Sequence, residues 1–166
     1  MHLVSFVASR DTVAGKNNGD TMELKLTALE LQTFLDAQFE QVARDFEVEE
    51  VAPMEARIRL RVADKHLRPG GTVSGPSMFA LADVAVYLAL IAMIGPKALA
   101  VTTNASMDFM RKPAAGQDLI GEARLLKLGR VLAVGDVLIR SDNPNADTPG
   151  EPVARASMTY SIPPER

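Results

Sequence analysis

The spacing of apolar residues changes three times along this chain, and each change marks an element. Leu31, Phe34, Leu35, Phe39 and Val42 recur at helical intervals, which predicts an amphipathic helix over 28–43. Thr27 and Glu30 stand at its start as a capping box, a hydroxyl for an orphan amide and a carboxylate reaching back. From Phe46 to Val62 the period becomes two. Ala56, Ile58, Leu60 and Val62 alternate with Arg57, Arg59 and Arg61, the pattern of one or two half-buried strands with a basic outer face. Pro69, Gly70 and Gly71 then break the chain into a loop.

Residues 77–94 form the third regime, apolar on every side apart from Ser77, Asp83 and Tyr87. The length approaches that of a bilayer-spanning helix. The internal Asp83 and the strand-like sequence on both sides favour a buried helix in a globular domain, which is also apolar all round. After Gly95 and Pro96 the alternation returns in four segments, 98–110, 118–127, 131–141 and 152–161, separated by turn-rich stretches. The spacing at Gly129 suits a tight hairpin. The order is helix, strands, long apolar helix, then an antiparallel meander. This predicts an α+β fold with a sheet wrapped around one central helix.

Composition narrows the chemistry. A chain of 166 residues fits one domain, the usual size being roughly 100–200 residues. Residues 1–21 have only a short apolar patch before Arg10 and Asp11 and read as a flexible tail. They lack the long apolar region of a signal peptide. The expected domain is therefore 22–166, with the cytoplasm as the default location. The sequence contains no cysteine and only two histidines, His2 and His66. Disulfides, thiolate nucleophiles and cysteine-based metal sites are excluded, and a histidine-dependent triad or metal site is hard to assemble. A net charge of −3 provides no general attraction to nucleic acid or anionic membrane.

Carboxylates, hydroxyls and backbone amides remain. Asp83 is the one charged residue between Arg68 and Lys97. A carboxylate on an apolar helix requires compensation, and one held out of water makes an effective general base. A plain hydrogen bond to a neighbouring strand is its alternative explanation. Ser74, Gly75 and Pro76 form the helix start, with Pro76 at the first helical position and Gly75 as the cap. Amides at such a start favour negative charge and can hold a developing oxyanion. Thr102, Thr103, Asn104 and Ser106 are hydroxyl and amide groups in an apolar strand. Arg111 with Lys112, and Lys127 with Arg130, are two small basic clusters that can meet phosphates or simply be solvated. His66 is a lone histidine ahead of the loop.

The stretches LRPGGTVSGPSMFALADVAVY, VTTNASMDFMRKP, LLKLGRVLAVGDVLI and VARASMTYSIP resemble the hotdog-fold acyl-CoA thioesterases of the phenylacetate-degradation (PaaI-like) type. The resemblance runs from about residue 57 to 161. In that family an Asn-x-x-Gly-x-x-His-Gly-Gly loop leads into the central helix, with Asp or Glu nine residues after the His. Counting back from Asp83 puts the His at Ser74, the Gly pair at Gly75 and Pro76, and the Asn at Arg68, while Gly71 keeps the intervening glycine. The resemblance implies Asp83 as general base or nucleophile, the Gly75 amide as holder of the thioester oxygen, and Thr102 as a positioner of water. Substrate contacts are then expected from Arg68, Ser74, Asn104, Arg111, Lys127 and Arg130, with no metal and no cofactor. It further implies an acyl-CoA substrate and a homodimer, or a tetramer of two dimers, with each site at the interface. Neither nucleic acid nor membrane is an expected partner. The replacements at Arg68 and Ser74 keep open a non-catalytic acyl-CoA or fatty-acyl binding protein. A hotdog hydratase or dehydratase is the other alternative.

Overall fold

The Thr27 capping box forms as its sequence predicts. In the computed structural model, which describes residues 22–97 and 99–164, the Thr27 hydroxyl accepts from the Glu30 amide. Glu30 in turn takes the Thr27 N–H at 2.8 Å. The expected tail at 1–21 lies outside the described residues. Helix α1 spans Ala28–Gln38 and buries Leu31 and Leu35. It stops short of the predicted end, because Phe39 (φ −132°, ψ 49°) leaves helical geometry before a single turn, α2, at Glu40–Ala43. The break sets the Phe39 ring edge-on to Tyr87, with centroids 5.5 Å apart. Val42 is consequently exposed rather than buried on the helical stripe.

The period-two stretch is a hairpin, β1 (Phe46–Ala52) and β2 (Glu55–Leu60), turning through Met54 at φ 68°. Its Arg face is not a basic surface. Arg57 lies 2.8 Å from Glu49 and 2.7 Å from Glu122. Arg59 meets Glu49, Asp118 and Asp142, and Arg61 meets Glu47. Long-range pairing supplies the carboxylates, which the local alternation cannot reveal.

Helix α3 (Gly75–Ile94) is followed by β3 (Val101–Phe109), β4 (Leu119–Leu128), β5 (Leu132–Ser141) and β6 (Ala154–Ser161). All six strands form one antiparallel sheet in the order β1-β2-β4-β5-β6-β3. The expected meander holds for β4–β5–β6. Strand β3 instead crosses over and pairs with β6 at the far edge. The helix lies across one face of the sheet and is buried along most of its length, so core packing accounts for its apolar character. Two strand glycines permit the close approach. A Cβ on Gly121 would come within 3.1 Å of Leu81, and one on Gly135 within 3.0 Å of Val86. The sheet wrapped on a central helix is the hotdog arrangement expected above.

Candidate active site

Asp83 is the ninth residue of α3. It continues a stripe of Pro76, Phe79 and Ala80 that the sheet leaves uncovered, Phe79 being 40% exposed. Its carboxylate is not alone. The Thr102 hydroxyl donates to Asp83 Oδ1 at 2.6 Å, and the Tyr160 hydroxyl approaches the same oxygen at 2.6 Å. Tyr160 also lies 3.0 Å from the Asp83 carbonyl. Both hydroxyls thus serve Oδ1, and among the described residues Oδ2 accepts no hydrogen bond. Hydrogen bonds from two donors offset much of the desolvation cost that the lone charge implies.

Tyr160 has no place in the reading from sequence alone. It is 2% exposed and stands directly opposite Thr102 in the β3–β6 register. Burial, and next the neighbouring Asp83 charge, push its phenol well above the ordinary tyrosine range. One signal was available. Ala154, Ala156, Met158 and Tyr160 alternate as the buried face of one strand, and a buried tyrosine needs a partner for its hydroxyl.

The start of α3 differs from expectation by one position. Ser74 is the N-cap, Gly75 the first helical residue and Pro76 the second. The Ser74 hydroxyl accepts from the Ser77 amide at 3.3 Å and lies 2.9 Å from the Ser77 hydroxyl, which donates to the His66 carbonyl. Ser74 therefore uses its side chain on the cap. His66 is buried, with Nδ1 accepting from the Ala63 amide at 2.9 Å and Nε2 lying 3.3 Å from Asp45. It anchors the loop to the helix start and presents no ring nitrogen to a substrate. The Gly75 amide donates to no described residue, as the first amide of a helix does. The Phe109 ring fills the space where a Gly75 side chain would begin, 3.2 Å from an ideal Cβ. Asp83 lies eight positions beyond Gly75, which is about 12 Å along one helix at 1.5 Å per residue.

The remaining candidates divide between regions. Arg68, Arg111 and Lys112 line one groove of about 460 Å³ beside Gly75, floored by Val73, Met78 and Phe109. Arg111 is held by Glu151 at 3.0 Å. Arg68 and Lys112 have no carboxylate partner among the described residues. Lys127 and Arg130 lie at the β4–β5 hairpin, level with the Val101 end of β3. The groove is at the Phe109 end, roughly 25 Å away by strand rise. Asn104 turns from Asp83. A bulge between Thr102 and Asn104 shifts the register, so Asn104 pairs with Thr159 and shares its outer face. Ser106 lies on that face too, in a hollow of about 720 Å³ with Asp108 and Arg155 that the sheet separates from Asp83. Among the described residues, no three His, Asp or Glu side chains converge closely enough to hold a metal ion.

The thioesterase superfamily profile matches residues 70–147, which include Gly75, Asp83 and Thr102. A candidate thioesterase of known structure from Silicibacter sp. TM1040 is 56% identical. The match covers 86% of this chain and 96% of that one, with a TM-score of 0.76. The chain belongs to the thioesterase superfamily. A mutant of the phenylacetic acid degradation protein PaaI from Thermus thermophilus is 29% identical, covering 78% and 97% of the two chains at a TM-score of 0.59. A hypothetical thioesterase from Streptococcus pneumoniae TIGR4, solved with coenzyme A, shares the fold at 20% identity. That match covers 83% and 98% of the chains at a TM-score of 0.64. No curated protein matches the chain. Membership supports thioester hydrolysis as the general activity and a PaaI-like hotdog thioesterase as the type.

Proposed function

We propose that this thioesterase hydrolyses an acyl-CoA thioester without a metal, using Asp83 as its general base. The observation that carries the reading is a helix carboxylate with Oδ1 fixed by two hydroxyls and Oδ2 left open. In this reading Oδ2 takes a proton from water as the water oxygen attacks the thioester carbon. The carbonyl oxygen becomes an oxyanion held by a Gly75 amide. Collapse expels the CoA thiolate, which recovers the proton, and leaves the carboxylic acid. A nucleophilic role for Asp83, through an acyl–enzyme anhydride, uses the same oxygen.

The geometry favours a site made from two copies of the chain. A reacting carbon must lie about 3–3.5 Å from its attacking group, whereas the Gly75 amide and Asp83 are about 12 Å apart within one helix. Two α3 helices lying antiparallel bring Gly75 of one copy to Asp83 of the other. Among the described residues, strand β3 pairs on one side only, with Val101 57% and Phe109 56% exposed, the kind of edge that pairs with another chain. Antiparallel pairing of two such edges also sets the Lys127–Arg130 hairpin of one copy at the same end as the Arg68–Lys112 groove of the other. These cations and Arg111 are suited to the phosphates of CoA, and the apolar groove floor to its less polar parts. The coenzyme A bound by the Streptococcus pneumoniae relative supports this substrate class, and a CoA substrate suits a cytoplasmic enzyme.

Release of free thiol from a panel of acyl-CoA thioesters, with mass-spectrometric product detection, tests the proposal. Asp83→Asn and Asp83→Ala are expected to lower kcat at least a hundredfold, the usual contribution of a positioned general base. Full activity in both variants overturns the assignment. Saturable acyl-CoA binding with no turnover by the unmodified protein is the outcome that favours a binding protein instead. The structural use of Ser74 and the replacement at Arg68 are the observations on that side. The anchored ring of His66 disfavours a hydratase.

A further inference from the structure

We infer that Tyr160 is a positioning residue for hydrolysis, fixing with Thr102 the plane of the Asp83 carboxylate so that one oxygen is presented for reaction. The inference rests on the reading of Asp83 as the catalytic carboxylate and adds a residue and a division of labour to it.

A carboxylate turning about its last bond changes the plane in which its oxygens lie, and each plane has its own attack geometry. Here both nearby hydroxyls converge on Oδ1 at 2.6 Å, the short range of an O–H donor on a charged oxygen. Tyr160 and Thr102 are cross-strand partners on β6 and β3, so the sheet fixes their spacing independently of the helix that carries Asp83. Tyr160 cannot swing away. Its ring is buried and packs at a 34° tilt against Tyr87, with centroids 6.0 Å apart, and Phe34 and Phe39 flank Tyr87 in turn. Turning the carboxylate out of this plane would break both short contacts, leaving the Thr102 hydroxyl without this acceptor and the buried phenol with only the Asp83 carbonyl at 3.0 Å, at the cost of hydrogen bonds to a charged group. Oδ2 is consequently the oxygen presented to water. Tyr160 keeps its proton throughout, because burial and the Asp83 charge both disfavour the phenolate. It therefore remains a donor while Oδ2 gains and loses a proton, and itself transfers none.

The test measures kcat and KM for Tyr160→Phe and Thr102→Val, each alone and combined with Asp83→Asn. Thr102→Ser serves as the conservative control. Tyr160→Phe removes one oxygen from a site whose packing is otherwise kept. The expected result is a kcat about tenfold lower or more, the worth of a hydrogen bond to a charged group, with KM within about twofold of wild type. Thr102→Val should behave alike and Thr102→Ser should retain most of the rate. A residue acting through Asp83 has little further effect once that carboxylate is gone, so Tyr160→Phe should change the residual rate of Asp83→Asn by less than about twofold. Unchanged kcat in Tyr160→Phe and Thr102→Val overturns the inference. So does a loss of the same size in the Asp83→Asn background, which marks a purely structural role. If Tyr160→Phe fails to fold, Thr102→Val and Thr102→Ser decide the same question. Full activity in Asp83→Asn removes the underlying reading instead and is distinguishable from the other outcomes.

Discussion

At the scale of single residues, the aromatic row behind Asp83 has a consequence outside catalysis. The chain contains two tyrosines, and both are buried. Burial pushes the Tyr87 phenol up to about 12, and Tyr160 is pushed higher by burial and the Asp83 charge. The folded state thus holds these protons more tightly than the unfolded chain, whose tyrosines titrate near about pH 10. This contribution to stability is complete below about pH 10 and is lost as pH rises above it. Phenolate absorbance near 295 nm should therefore stay flat through about pH 10 and rise with unfolding, whereas an ordinary titration there contradicts the burial. Tyr160→Phe should make the alkaline loss of stability shallower. Asp83 itself is legible in the sequence because no other charge stands between Arg68 and Lys97. Its partners are not, since Thr102 and Tyr160 lie 19 and 77 residues away and only the strand register brings them together.

Elements show where local pattern suffices and where it fails. The capping box at Thr27, the apolar helix α3 and the four later strands follow from residue spacing alone. The break at Phe39 does not, because Tyr87 lies on another element. The bulge at the start of β3 is the most consequential detail. Strict alternation puts Thr102 and Asn104 on one face, and one extra residue separates them. Asn104 leaves the candidate site for that reason. Strand glycines carry a second hidden constraint, the distance of the helix from the sheet. Gly135→Ala would set a methyl 3.0 Å from Val86 and 3.3 Å from the Arg124 carbonyl. Neither side chain nor backbone yields freely there, and overpacking of this kind costs about 1–3 kcal/mol. Urea unfolding should report a loss in that range, and wild-type stability in the variant would contradict the closeness of this contact.

Across the whole molecule, the candidate residues are split between the start and the middle of α3, and a second copy is the proposed means of uniting them. The family resemblance singles out Gly75 and Asp83 by their spacing, and the same spacing keeps them apart within one chain. Phe79→Asp puts a charge on the uncovered stripe of α3 without touching either group. Sedimentation should then show a monomer with hydrolysis largely lost, and a monomer with wild-type kcat contradicts the two-chain site. The claim on which the account turns is that a carboxylate at position 83 carries thioester hydrolysis. The most direct measurement is kcat for acyl-CoA hydrolysis by wild type and Asp83→Asn, with folding of both verified by circular dichroism. The account predicts a loss of at least about a hundredfold, and equal rates in the two folded proteins would contradict it.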